Sequence, residues 1–294
     1  MFYGKQIQIR RNKKYPPRRK TKKFKIQDLT PLLLYYNVKI MAKIKKFFLR
    51  LKKYTKLRYC LLSFPKSGRT WLRNILAHIR AGEENKKFSL GSPEFLPFIG
   101  SEIIMNHGGA TGKGDYYHFN KHFFWKKLKF RGKKIVFLIR DPRDTVVSYY
   151  YQKTYRIRQK NQKNISEFVR EKNYGIEHII NFLNKWIREL KKKDKNSWII
   201  IKYEDLKADT FREVKKILDF WGIKIEDDII KQAIEQSSFA KMKEKEKSAN
   251  PNSHKARKGK IGGYREELSK EDIKFIEEKI NKNLDNFFSF YKYD

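Results

Sequence analysis

The chain has 294 residues, with 70 Lys or Arg against 32 Asp or Glu and a net charge of +38, a balance that points to an anionic partner. Hydrophobic residues make up 39% and aromatics 15%, enough apolar material for a core, which excludes disorder throughout. The one cysteine, Cys60, excludes an intramolecular disulfide scaffold, and neither a run of about 18 apolar residues nor a secretory leader pattern is read anywhere.

Charge is spread unevenly. Residues 1–58 hold 20 Lys or Arg against one acid, Asp28, so half of the excess sits in the first fifth of the chain. Residues 1–27, with Arg10-Arg11, Lys13-Lys14 and Arg18-Arg19-Lys20 around Pro16-Pro17, read as a disordered basic arm. Over residues 31–53, Leu32, Val38, Ile40, Ile44, Phe47 and Leu51 alternate with Lys39, Lys43, Lys45 and Lys46, the pattern of a basic amphipathic helix. Two readings of residues 1–57 stay open: a solvated tail in a generally Lys-rich chain, or a peripheral contact to an anionic membrane.

From residue 58 to 294 the pattern is that of one folded domain with alternating strands and helices. The apolar run 58–64 predicts a strand, then the turn Pro65-Lys66-Ser67-Gly68, then a helix in which Trp71, Leu72, Ile75, Leu76 and Ile79 fall at helical spacing. A strand, a Gly-bearing loop with one Lys and a helix opening with Thr form a phosphate cradle, because backbone N–H groups and the helix dipole point at the anion. The spacing is not that of a Walker A loop. A second strand over 135–140 leads into Asp141-Pro142-Arg143-Asp144 and a helix, with Pro142 suited to the first helical turn. Arg140 and Ser148 can both face the carboxyl edge of the sheet, where ligands of open α/β sheets bind; a salt bridge of Arg140 with Asp141 or Asp144 is the competing reading. A third strand, 197–203, precedes a helix from about Ala208 to Trp221, closed by Gly222. The expected class is α/β, a P-loop-like three-layer fold whose mainly parallel central sheet is covered by helices on both faces.

Five segments follow in order: FPKSGRTW at 64–71, RDPRDTVVS at 140–148, KYEDL at 202–206, SSFAKM at 237–242 and RKGKIG at 257–262. With them, roughly over residues 58–290, the sequence resembles the sulfotransferases that use 3′-phosphoadenosine 5′-phosphosulfate (PAPS), especially the soluble type with its bacterial relatives. The resemblance implies a sulfotransferase domain over 58–294. It implies that Lys66, Ser67, Gly68, Arg69, Thr70 and Trp71 hold the 5′-phosphosulfate, and that Arg140, Ser148, Arg257, Lys258 and Gly259 bind the 3′-phosphate. Tyr203, Ser237, Phe239 and Met242 then surround the adenine. Residues 103–107, IIMNH, form a short strand ending at the position of the family's histidine base, and an imidazole with a pKa of about 6.5 suits that task; a structural histidine is the competing reading. The resemblance also implies that Lys66 stabilises the leaving group, that Ser148 restrains Lys66, that the product is 3′,5′-diphosphoadenosine (PAP), and that no metal is needed. The acceptor is expected to be a hydroxyl, less readily an amine, of a small molecule, sugar or lipid, with the enzyme in the cytoplasm or at its membrane surface and no specific nucleic acid as partner.

Some residues stand apart from this pattern. Arg69 replaces the usual Thr, Gly263-Tyr264 replaces the usual D-W, and residues 265–270, REELSK, lack the F-T-V core of the vertebrate dimer motif. His118 and His122 lie four apart without a carboxylate or Cys at ligand spacing, so packing is the better reading than zinc. The variable loops over the acceptor are expected at 83–129 and 149–175, where Tyr116, Tyr117, Phe119, Phe123, Tyr149 and Tyr155 either stack on the acceptor or serve as packing. Two rival functions are a P-loop nucleotide kinase, which lacks its Walker A spacing here, and a non-enzymatic polyanion or membrane binder, which leaves the motifs unexplained.

Overall fold

Uninterrupted apolar runs build the sheet, as parallel strands buried on both faces require. The computed structural model describes residues 58–83, 103–106, 130–156, 164–244, 252 and 257–292; the basic segment 1–57 with the helix expected at 31–53, and His107, His118 and His122, lie outside the described residues. Strands β1 (Tyr59–Ser63), β2 (Ile103–Asn106), β3 (Lys134–Ile139) and β4 (Trp198–Lys202) pair in the order β2-β1-β3-β4, every pair parallel. The expected α/β class with a parallel sheet and helices on both faces is what the chain adopts.

Side-chain alternation along the strands sorts the core into two layers. Cys60, Leu62, Ile135, Phe137 and Ile139 face one side. There they pack on Val146 and Val147 of α2 (Pro142–Tyr151) and on Leu183, Trp186 and Ile187 of a long amphipathic helix, Ile176–Lys191. Leu61, Val136, Leu138 and Ile201 face the other side. They meet Leu72, Ile75 and Ile79 of α1 (Arg69–Glu83) and residues of two later helices, Thr210–Trp221 and Asp227–Gln236. Each fully buried Leu or Ile contributes about 1.5–3 kcal/mol, so both helix layers are held chiefly by this apolar contact.

In chain order, α3 (Ile165–Arg170), α4 (Ile176–Lys191), α5 (Tyr203–Ala208), α6 (Thr210–Trp221), α7 (Asp227–Gln236), α8 (Phe239–Glu244) and α9 (Lys270–Asn283) complete the described helices of the α type. The helix expected from Ala208 to Trp221 is preceded by a separate one. The Asp209 N–H bonds to Asp205 O at 2.9 Å and ends α5, while the Asp209 carboxylate accepts the Arg212 N–H at 2.9 Å and starts α6. Asp209 leaves helical geometry at φ −140, ψ 86, so one residue closes one helix and caps the next. Gly222, at φ 73, ends α6 as expected. Among the described residues no helix is long and apolar enough to cross a membrane.

The strand order places the site. From β1 the chain moves to β2 on one side, and β3 then pairs with β1 on the other side. Because α1 covers one face and α2 the opposite one, the loops after β1 and β3 diverge and leave a crevice at the carboxyl edge.

Candidate active site

The first wall of the crevice is the loop between β1 and α1. Lys66 takes φ 71 and Gly68 φ 91, and the Gly68 carbonyl accepts the N–H groups of Trp71 at 3.0 Å and Leu72 at 3.2 Å, which begins α1. A Cβ at Gly68 would lie 2.5 Å from Cδ2 of the buried Tyr203 ring, so only glycine lets the loop and the ring meet. Trp71 approaches the same ring edge-on, with centroids 6.1 Å apart.

Arg140, the first residue after β3, ties three segments together. One guanidinium nitrogen donates to Lys66 O at 3.3 Å and another to Lys260 O at 3.0 Å. Its carbon lies 4.5 Å from the centre of the Tyr203 ring. The expected competitor for Arg140 is present as well: Asp144 Oδ2 lies 3.5 Å away. Asp141 instead caps α2 by accepting the Arg143 N–H at 2.8 Å, and takes the Arg143 guanidinium through both oxygens. Arg140 Nε is buried and has no hydrogen-bond partner among the described residues.

Asp144 does more than face Arg140. Its carboxylate, 4% exposed as a residue, accepts the N–H groups of Gly262 at 2.8 Å and Tyr264 at 3.1 Å. It thereby pins the 257–264 loop to the first turn of α2. Behind that loop, Glu267 accepts from Tyr151 Oη at 2.6 Å and Arg257 at 2.8 Å, and pairs with Lys258 at 2.5 Å. Burial pushes the Glu267 carboxyl up, but the hydrogen bonds from Lys258, Tyr151 and Arg257 outweigh it and hold the pKa at about 2. The Arg257 guanidinium also lies 3.8 Å over the Tyr151 ring, so it is fixed on two sides. On the opposite side of the loop, Gly259 at φ 61 leaves room for Phe239; a Cβ there would stand 2.7 Å from the ring.

These walls enclose a cleft of about 520 Å³. Lys66, Gly68, Arg69, Thr70 and Trp71 line it from the first loop, and Arg140 and Ser148 from the second junction. Tyr203, Phe239 and Met242 form an apolar flank, and Arg257, Lys258 and Gly259 close the remaining side. Two expected residues do not line it. Ser67 is buried, its N–H turned toward Phe64 O at 3.4 Å, and Ser237 is fully buried with its hydroxyl unpartnered among the described residues. Tyr149 is a core residue, 0% exposed, and Tyr155 stacks on Tyr151 at 5.6 Å, so both serve packing.

Eight lining residues were not assigned to the site by the sequence reading, the charged ones among them being Arg73, Asp144, Lys207 and Lys260. Lys207 donates to Gly259 O, and burial followed by the nearby charge of Arg140 lowers its pKa. The YEDL segment could have led to Lys207, one residue beyond it; Asp144 lay inside a motif and was read only as an ion-pair partner. Burial and then Arg73 lower the Arg69 pKa to about 10, against a smaller opposing influence of Cys60.

Eight Lys or Arg side chains thus line the cleft against one acid, Asp144, among the described residues. Beside them stands an apolar flank with the rings of Trp71, Tyr203 and Phe239. That combination suits a planar base bearing several phosphate-like groups, because guanidinium forks bind such groups bidentately and base faces stack on aromatic rings. No group of three or more His, Cys, Asp or Glu is placed to hold a metal among the described residues.

Comparison with known proteins agrees with this geometry. A family model described as the sulfotransferase domain matches residues 58–288. Sulfotransferase 2A6 of Rattus norvegicus is 32% identical over 196 residues, covering 63% of this chain and 66% of that protein. Sulfotransferase 2A1 of Homo sapiens is 27% identical over 194 residues, covering 64% and 67%. The match therefore spans about two thirds of the length of these curated relatives. Among solved structures, mouse sulfotransferase SULT7A1 complexed with PAP superposes with a TM-score of 0.58 at 21% identity, over 78% of this chain and 84% of that one. Retinol dehydratase in a complex with retinol and PAP gives 0.56 at 18% identity, over 78% and 83%. At those identities the superpositions speak for the fold.

Proposed function

The chain belongs to the sulfotransferase-domain family, and on that premise we propose that it transfers a sulfuryl group from PAPS to a hydroxyl of an acceptor, releasing PAP. The observation that carries this reading is the convergence of Lys66, Arg140, Arg257 and Lys258 on one cleft beside an aromatic flank. Three segments far apart in sequence supply those cations, and a donor carrying a 3′-phosphate, a 5′-phosphate and a sulfate needs such a set. Two fold neighbours were solved with PAP, which agrees with this ligand class.

In the proposed reaction the acceptor oxygen forms a bond to sulfur while the bond from sulfur to the 5′-phosphate oxygen breaks. The acceptor proton passes to His107. Lys66, at the start of the cradle, offsets the negative charge that grows on the bridging oxygen, the kind of electrostatic assistance that usually dominates such transfers. Ser148, which lines the same cleft, restrains the Lys66 ammonium until the acceptor arrives. Arg140, Arg257 and Lys258 anchor the 3′-phosphate, with Thr70 and Arg69 at the 5′ end and Trp71, Tyr203, Phe239 and Met242 along the adenine. A small molecule, sugar or lipid head group serves as acceptor. The enzyme acts in the cytoplasm, with residues 1–57 as a basic surface toward an anionic membrane.

Thermal shift with PAP tests the donor site, since a ligand at 100 times its Kd adds about 2.7 kcal/mol to apparent stability. Radiolabelled PAPS with a panel of phenols, sugars and sterols then tests transfer. A PAP-dependent rise in Tm together with labelled product is the expected result. No rise with PAP, or equal rises with ATP and PAP, would overturn the assignment.

A further inference from the structure

We propose that Lys207 is a positioning residue for the sulfate donor: by holding the Gly259 carbonyl it fixes the 257–260 turn in the orientation that receives the 3′-phosphate. This rests on the sulfotransferase reading of the cleft and adds to it a residue that lies outside all five sequence motifs.

Helix spacing puts Lys207 where it can act. α5 begins at Tyr203, directly after β4. Tyr203 and Lys207 are four residues apart, so they stand one turn apart on the same side of that helix. Both reach one acceptor: Lys207 Nζ donates to Gly259 O, and Tyr203 Oη donates to the same oxygen from 3.4 Å. A good O–H···O bond is about 2.5–3.0 Å long, so the phenol contributes little and the ammonium is the stronger partner of this carbonyl.

The turn needs that hold. Gly259 stands at φ 61, a conformation that glycine enters and leaves with little cost. Its neighbours are restrained from one side. Arg140 donates to Lys260 O at 3.0 Å, and Asp144 accepts the N–H groups of Gly262 and Tyr264. Arg140 and Asp144 follow β3, whereas Lys207 follows β4. Lys207 therefore ties the turn to the wall that carries Tyr203. Arg257 and Lys258, the proposed anchors of the 3′-phosphate, directly precede Gly259 and line the same cleft as Lys207. Charge supports a role linked to the ligand. Burial and then the charge of Arg140 lower the Lys207 pKa, so the two cations are close enough to repel each other. A phosphate held by Arg140 and the turn offsets that repulsion, and a nucleotide without the 3′-phosphate does not.

Calorimetry on the full chain tests this with PAP and with AMP, which lacks the 3′-phosphate, for wild type, Lys207→Met and Lys207→Arg. Lys207 is exposed, so neither substitution disturbs the core. Lys207→Met keeps the aliphatic stem and removes the donor and the charge. It is expected to weaken PAP about tenfold, as loss of one charge-assisted bond implies, and to leave AMP nearly unaffected. Lys207→Arg is expected to restore most of the PAP affinity. Hydrogen exchange without nucleotide separates positioning from direct contact with phosphate: the 257–264 amides should exchange faster in Lys207→Met than in wild type. Equal losses for PAP and AMP, a Lys207→Arg variant no better than Lys207→Met, or unchanged exchange of the turn would each overturn the positioning role. Failure of the wild-type chain to bind PAP overturns the sulfotransferase reading as well, whereas PAP binding that Lys207→Met leaves unchanged removes the Lys207 role alone.

Discussion

Lys66 stands in the left-handed region at φ 71, where a side chain with a Cβ costs roughly 1–2 kcal/mol and glycine has no such cost. The fold tolerates the strain because the Lys66 carbonyl is held by Arg140 and because the ammonium belongs to the cleft. Replacing Lys66 separates the two effects. Lys66→Ala keeps the strain and loses the charge; Lys66→Gly loses both but adds chain entropy to the unfolded state, which offsets about 0.5–1 kcal/mol. Both variants should therefore lose turnover by about 100-fold or more, while Lys66→Gly unfolds at higher denaturant than Lys66→Ala by about 1 kcal/mol. Equal stability of the two would show that the loop relaxes out of this conformation; full turnover of either would remove Lys66 from the chemistry. The loop itself was legible in FPKSGRTW, since a strand, a small-residue turn and an amphipathic helix are local patterns. The left-handed conformation of Lys66 was not, because the bond to its carbonyl comes from Arg140, which is distant in sequence.

The first turn of α2 joins the two halves of the cleft. Asp141 caps the helix and Asp144, one turn later, accepts two N–H groups from the 257–264 loop. Asp144→Asn leaves one of those N–H groups facing an amide donor and removes the charge opposite Arg140. It should cost about 1–3 kcal/mol of stability. Affinity for PAP should drop roughly tenfold or more, with a much smaller effect on AMP, which lacks the 3′-phosphate. An equal loss for both nucleotides would show that Asp144 supports the cleft in general rather than the 3′-phosphate loop. At this scale the strands were legible because a parallel sheet buried on both faces demands runs such as IVFLIR and SWIIIKY. The break between α5 and α6 was missed because Asp209 is a tolerable helix residue until its carboxylate turns to Arg212 N. Arg73 and Lys207 carry no motif of their own; their place on the cleft comes from helix phase and from the loop that closes over them.

Across the whole molecule, the last described turn of the chain returns to the two segments, after β3 and after β4, that carry Arg140 and Tyr203. Tyr291 Oη donates to Glu204 Oε2 at 3.0 Å, and Glu204 Oε1 accepts the Asp141 N–H at 2.9 Å, so one carboxylate links the end of the chain, the segment after β4 and the start of α2. Burial raises the Glu204 pKa, more than the hydrogen bonds from Asp141 and Tyr291 lower it. A carboxyl whose pKa rises on folding holds its proton more tightly in the folded chain, so its ionisation destabilises the fold. That cost is absent below the ordinary value of 4.5 and complete once pH exceeds the raised folded value. Glu204→Gln keeps an acceptor for Asp141 and carries no charge, so it should melt above the wild type at pH 7, with the gap closing as pH falls toward 4.5. Tyr291→Phe acts in the opposite sense: it removes a bond that favours the ionised form, costs about 1–3 kcal/mol at neutral pH, and loses less at acid pH. Melting curves of the three proteins between pH 4 and pH 8 decide the matter. Parallel Tm profiles for wild type and Glu204→Gln would mean that the carboxylate is as well solvated in the folded chain as in the unfolded one, and that the end of the chain is held by the packing of Phe288 and Tyr291 alone.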